Sequence, residues 1–199
     1  VSLLGEMFKN AGKVTHVVGN IGYPYSAAAI DSRRTDVFVT EVSSFQLETI
    51  VDFHPRAAAL LNITEDHLNR HGTMAEYTRV KMRIFENQTA QDAAVFNDDD
   101  PLSAPLAGQV KSHVLRFSRT HEVAEGAFAR DGKIIIRFGG DDKVLCDASE
   151  VRIPGPHNLE NALAATCIAV FMGVPAPVIR HTLRTFAGVE HRIEFVREL

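Results

Sequence analysis

The sequence predicts an α/β protein: a mostly parallel sheet flanked by helices, with a small antiparallel β subdomain in its second half. Three observations predict it. Short apolar runs alternate with segments of helical period as far as residue 118. Those runs are apolar at nearly every position, as strands covered on both faces are. From about residue 119 the pattern changes to short strands joined by Asp-Gly and Gly-Gly-Asp-Asp, which is hairpin-turn chemistry.

The elements follow in order. "VSLLGEMFKNAG" places Val1, Leu3, Leu4, Met7 and Phe8 at helical spacing and closes at Gly12. "VTHVV" (14–18) is a strand ending in the turn-rich "GNIGYP". "DVFVTEVSS" (36–44) is a second strand with Glu41 towards its C-terminal end, and "FQLETI" is a helical turn or short helix. "AAALLNI" (57–63) is a third strand, followed by the polar "TEDHLNRHG". Residues 72–88 form a helix with Met74, Tyr77, Val80, Ile84 and Phe85 on one stripe. "AAVFNDDD" (93–100) is a strand with an acidic turn, and "KSHVLRFS" (111–118) is a fifth strand. The hairpin segment, 126–153, precedes a helix in "GPHNLENALAATCIAVFMG" and another in "PAPVIRHTLRTF". The helix face there comprises Leu159, Ala162, Leu163, Thr166 and Val170. "RIEFVREL" alternates like a strand.

Composition narrows the function. The 199 residues are 45% hydrophobic and 23% charged, ordinary for a globular protein, with a formal charge of −4. That balance argues against nucleic acid and anionic membranes as partners, since both select a basic face. No apolar run reaches the ~18 residues of a span. Cys146 and Cys167 have no metal-like spacing and read as small core residues in a reducing compartment. The chain begins at Val1 inside a helix with no cap ahead of it and ends on a strand-like run, so it reads as an excerpt of a longer protein.

In an open parallel sheet, ligands bind beyond the carboxyl ends of the strands. Asn20 follows the first strand, Glu41 ends the second, and Asp66 and His67 follow the third. Carboxylate and imidazole around one crevice suit a divalent cation carrying phosphates, because Mg²⁺ takes few protein ligands. Each residue has a plainer reading. Glu41 could cap the turn after it, and His67 with His71 could be a helical zinc pair or an isolated surface pair. Lys81 lies between Tyr77 and Phe85, either extending its stem over the core or delivering an amine to the crevice. Asn158 reads as a helix N-cap; with Asn161 three residues on, it could instead bind an adenine edge through paired amides. His191 and Arg192 could be surface charges.

"EVSSFQLE", "NITEDHLNRHGTMAEYTRVKMRIFENQ", "GPHNLENALAA" and "GVEHRIEF" occur in this order, and together they resemble the Mur ligases of peptidoglycan synthesis along essentially the whole chain. "SSFQLE" is most similar to the branch that adds D-glutamate. The resemblance implies a P-loop-NTPase-like central domain over residues 1–187, starting just after the phosphate loop, and the start of the amino-acid-binding domain at 188–199. The N- and C-terminal domains of the parent protein would be missing, and this piece alone would be inactive. It further implies ATP and two Mg²⁺ ions as cofactors. UDP-N-acetylmuramoyl-L-alanine and D-glutamate would be joined through an acyl phosphate in the bacterial cytoplasm. On this match Glu41 and His67 would each ligate a Mg²⁺, and Lys81 would be carbamylated and join a metal site. Asn20 would hold the substrate side, Asn158 and Asn161 the adenine, and Arg192 the nucleotide phosphates. Asn69 stands where the family usually has Asp, which would weaken the support of His67, and Val80 stands where Ala is usual. Another amino-acid ligase of the superfamily, a folylpolyglutamate synthase, or a nucleotide-binding module without turnover are the alternatives.

Overall fold

A computed structural model describes residues 1–189. The elements are α1 (Ser2–Asn10), β1 (Thr15–Gly19), α2 (Tyr25–Ile30), β2 (Val37–Glu41), α3 (Ser44–Leu47), β3 (Ala57–Leu60), α4 (Leu68–His71), α5 (Met74–Met82), β4 (Ala93–Asn97), β5 (His113–Ser118), β6 (Gly126–Arg130), β7 (Lys133–Phe138), β8 (Asp141–Asp147), α6 (Pro156–Phe171) and α7 (Ala176–Thr185). β1 and β2 form a parallel pair, and the other six strands form one sheet in chain order from β3 to β8. Pairing is parallel from β3 to β6 and antiparallel from β6 to β8.

The α/β class follows from how the strands divide their side chains. Ala93, Val95, Leu115 and Phe117 face one core with Leu3, Met7, Phe8 and much of α6, α7 and the hairpins. Ala58, Leu60, Ala94 and Phe96 face a second core with Tyr77, Phe85 and Ile63. Successive residues of one strand point to opposite faces, so a strand covered on both sides has no polar register. β4 is buried at all five positions.

The antiparallel unit is present, and it is continuous with the parallel one through the β5–β6 pairing. Its turns are those the sequence asks for. Asp131 (φ 51°) and Gly132 (φ 72°) lead into β7, and Gly139 (φ 64°) and Gly140 (φ 88°) lead into β8. Positive φ at both central residues marks a type I′ hairpin.

α6 departs from a one-faced helix. Residues 162–167 are all buried, because α6 is covered by the sheet on one side and by α1 and α7 on the other. Its alanines allow both approaches. α2 was not legible in the sequence: "YSAAAI" has no buried residue and hence no apolar stripe. The 72–88 helix is shorter than expected, with α5 passing into a 3₁₀ turn at Arg83–Phe85. The strand expected in "RIEFVREL", the start of a second domain, and Arg192 lie outside the described residues.

Candidate functional site

Asn20 and Glu41 do meet. Gly19, at the end of β1, has φ +106°, and a Cβ there would lie 2.2 Å from Glu41 O and 2.9 Å from Thr40 Cγ2. Only glycine lets the two strand ends come this close. The Asn20 backbone N–H then donates to Glu41 O at 2.8 Å. The Asn20 side-chain amide donates to Glu41 Oε1 at 3.1 Å. Glu41 does not cap the next helix. Ser43 does so in a reciprocal box: its hydroxyl accepts from Gln46 N–H (3.4 Å), and Gln46 Oε1 accepts from Ser43 N–H (2.9 Å). The "SSFQ" motif is thus a helix start that leaves the Glu41 carboxylate at the strand edge.

The loop after β3 is pinned from β4. Asn97 Nδ2 donates to Leu61 O (3.0 Å), and Ile63 N–H donates to Asp100 Oδ2 (2.8 Å). This is what the acidic turn does. Asp98 pairs with Arg116 and His121, while Asp99 accepts from Ser118 and from the Arg119 backbone. His67 follows with φ 52° and ψ 26°, a left-handed conformation uncommon for a residue with a Cβ. Asp66 supports it: one carboxylate oxygen accepts from His67 N–H (2.8 Å), and the other lies 3.3 Å from His67 Nε2.

Two expectations change here. His67 stands at the N-cap of α4, outside the helix, while the His71 side chain is only 1% exposed. They share no open helical face, so the zinc-pair and surface-pair readings both fail. Asn69 makes no side-chain hydrogen bond among the described residues, and the carboxylate beside His67 is that of Asp66, so the Asn69 departure leaves His67 its acidic neighbour.

A row of rings joins His67 to Lys81. His67 lies 4.9 Å from the Phe45 ring, Phe45 stacks on His71 at 5.7 Å, and His71 lies 5.2 Å from Tyr77. Lys81 Nζ sits 5.0 Å from the Tyr77 ring centroid, a cation–π arrangement. Two residues on, Arg83 binds three carbonyl groups at the end of α3 and just beyond it: Leu47 O (2.9 Å), Glu48 O (2.6 Å) and Ile50 O (2.9 Å). The sequence reading missed Arg83. A lone arginine beside an apolar stripe carries no signal of a carbonyl partner more than thirty residues away.

On the other side, α6 begins earlier than expected. Its N-cap is Gly155, and Asn158 lies inside the first turn, where its amide donates to Pro154 O at 2.7 Å. Asn158 is therefore not the cap. Asn161 Nδ2 reaches Asn158 Oδ1 at 3.5 Å, so the two amides do share a face. A cleft of about 240 Å³ is lined by Leu61, Asn62, Phe117, His157, Glu160 and Asn161. Glu160 is fixed there by Arg119 Nε at 2.7 Å.

Among the described residues, no three His, Cys, Asp or Glu side chains converge as a metal cage. The donor chemistry nevertheless fits a cation held mainly by phosphate oxygens and water. Glu41 offers a hard carboxylate whose Oε2 has no partner among the described residues. Mg²⁺ needs only one or two such groups from protein.

Comparisons with known proteins identify the family. The family described as Mur ligase middle domain matches residues 1–169. A UDP-N-acetylmuramoylalanine--D-glutamate ligase of Thermoanaerobacter sp. (strain X514) is 50% identical over 198 residues, covering all of this chain and 44% of that protein. The protein of the same name from Alkaliphilus oremlandii (strain OhILAs) is 51% identical over 195 residues, covering 98% of this chain and 43% of its own length. The chain thus spans less than half the length of the curated relatives it matches. Among solved structures, the MurF ligase of Thermotoga maritima in complex with ADP has a TM-score of 0.66 at 21% identity, over 99% of this chain and 48% of that one. A pseudomurein peptide ligase type C from Methanothermus fervidus has a TM-score of 0.68 at 17% identity, over 98% and 48%. At such identities the likeness is one of fold.

Proposed function

Since the chain belongs to the Mur ligase family, matching its middle domain, we propose that it is the nucleotide-binding part of an ATP-dependent ligase that joins D-glutamate to UDP-N-acetylmuramoyl-L-alanine through an acyl phosphate. The observation that carries this reading is the identity of about half, over the whole chain, with proteins named for that reaction. Residues 1–187 are the central domain on this reading, and 188–199 open the amino-acid-binding domain. ATP and a nucleotide sugar as substrates set the enzyme in the bacterial cytoplasm.

The crevice supports a division of labour. Glu41 and His67 would hold two Mg²⁺ ions, which supply charge neutralisation on the phosphoryl oxygens. Asn20 fixes one oxygen of Glu41 and leaves the other for a ligand. Asn158 and Asn161 present amides beside the Glu160 cleft, where an adenine edge would bind. Arg192 would meet the nucleotide phosphates. Lys81 would carry a carbamate: its neutral amine attacks carbon dioxide, the N–C bond forms, and one proton leaves to solvent. The unmodified ammonium rests on the electron-rich Tyr77 face. An anion is repelled by that face, so modification moves the group off Tyr77 and towards cations.

The test is phosphate release by the full-length parent protein with Mg-ATP and UDP-N-acetylmuramoyl-L-alanine, supplied singly with D-glutamate, L-lysine, diaminopimelate or L-alanine. Release with D-glutamate alone is expected. Release with another amino acid keeps the chemistry and overturns the acceptor, and release with none overturns the reading. Lys81→Ala is expected to lose nearly all turnover and to regain part of it with added short carboxylic acids.

A further inference from the structure

We propose that His71 is a positioning residue that ties the segment bearing Glu41 to the segment bearing His67 and thereby sets the cation affinity of the crevice; this rests on the ligand assignment proposed above. His71 Nε2 lies 3.0 Å from Ser44 Oγ, a contact between residues 27 apart in sequence. Its Nδ1 lies 3.4 Å from Glu48 Oε1. Ser44 stands three residues after Glu41, and His71 four after His67. The link therefore spans two segments that share no strand pairing.

The proton positions follow from the partners. Arg70 holds Glu48 through Nη2 (2.6 Å) and Nε (3.3 Å), and this pairing keeps the carboxyl below its usual range, hence ionised. An ionised carboxylate only accepts, so the His71 nitrogen facing it, Nδ1, carries a hydrogen, while Nε2 and the Ser44 hydroxyl share the other hydrogen bond. One edge of the imidazole meets Ser44 in α3 and the other Glu48 just after it, while its faces meet Phe45 and Tyr77. A serine–imidazole–carboxylate row can also activate a nucleophile. Here Ser44 is 6% exposed and the His71 side chain 1%, so no substrate reaches them and the row serves to hold.

Holding is needed because α3 and α4 are four residues each. A single helical turn has no stability of its own, and His67 sits in a left-handed conformation that its surroundings must maintain. Without the link, the donors at Glu41 and His67 would no longer keep a fixed separation. Removing a partner that orients a ligand typically costs ~10–100-fold in metal affinity.

The test uses the parent protein with Mn²⁺ alone, followed by electron paramagnetic resonance, and with Mg²⁺ titrated in the phosphate-release assay. Ser44→Ala and His71→Phe, the second keeping the ring between Phe45 and Tyr77, are each expected to weaken Mn²⁺ binding and raise the half-saturating Mg²⁺ about tenfold. kcat at saturating Mg²⁺ should change much less. The double variant should be no worse than His71→Phe, and His71→Gln, which can still meet Ser44, should recover most of the loss. Unchanged Mn²⁺ affinity in a folded Ser44→Ala or His71→Phe protein would overturn the proposal. Should His71→Phe fail to fold, the one-atom change Ser44→Ala decides. Glu41→Gln and His67→Asn separate the two claims. If neither alters Mn²⁺ binding, the ligand assignment falls and this inference with it. If both do while Ser44→Ala and His71→Phe do not, only the inference falls.

Discussion

At the scale of single residues, burial decides what each reactive group can do. Cys167 lies wholly inside the core and Cys146 nearly so, and loss of hydration pushes their thiols up to about 12 and about 11. The thiolate is the reactive form. Neither cysteine should react with a disulfide reagent in the native protein, and both should react at once in denaturant; rapid native labelling would contradict the packing of α6 and β8. The same logic separates the two histidines of "DHLNRH". Sequence gives them equal weight, since spacing carries no record of which one faces inwards. His67 was legible as a candidate because it follows an apolar strand, whereas the role of His71 depends on Ser44 and Glu48, which only folding brings near it.

At the scale of elements, the strands and the α3 turn were legible, and the short helices α2 and α4 were not. An uninterrupted apolar run such as "AAVF" has one stable placement, a strand covered on both faces. Helices of four to six residues, such as α2 and α4, carry too little period to register. They form here because neighbouring side chains and backbone groups hold their ends, as Arg83 does for α3. β4 provides a direct check on the two-faced sheet. Phe96 is fully buried and packs on Phe85 at 5.0 Å between ring centroids. Phe96→Ala should cost about 4 kcal/mol of stability, read as a lowered urea midpoint. A cost below about 1 kcal/mol, typical of a surface change, would mean that the second core is not closed.

At the scale of the whole molecule, the carboxyl ends of β1, β2 and β3 carry the polar groups of the candidate site, and the start of β4 carries a closed polar knot. Asp92, just before β4, accepts from His54 (2.6 Å), from Arg56 (2.9 Å) and from the backbone and hydroxyl of Thr89 (2.7 and 2.8 Å). Burial by itself would raise its carboxyl, and these donors outweigh burial and hold it far below the usual 3.8. A carboxyl whose pKa is depressed by folding stabilises the fold above its unfolded pKa and loses that contribution as pH falls through the folded value. Asp92→Asn should therefore be less stable than the parent by about 2 kcal/mol near pH 6, and the gap should narrow near pH 3. A gap that stays constant with pH would mean the knot is not ionised. Asn20 and Glu41 meet where β1 and β2 end, and the Asp66–His67 turn follows β3; the ligase proposal depends on these groups acting together. Sequence placed these groups at strand ends, but not the Gly19 close approach or the ring row that organises them.

Isotope transfer tests the proposed acyl phosphate of the parent protein most directly. UDP-N-acetylmuramoyl-L-alanine labelled with ¹⁸O in its carboxylate, turned over by the parent protein with ATP and D-glutamate, should yield phosphate carrying one labelled oxygen. One carboxylate oxygen must leave with phosphorus if the acid is activated that way. Phosphate released without label, while the amide still forms, would contradict it.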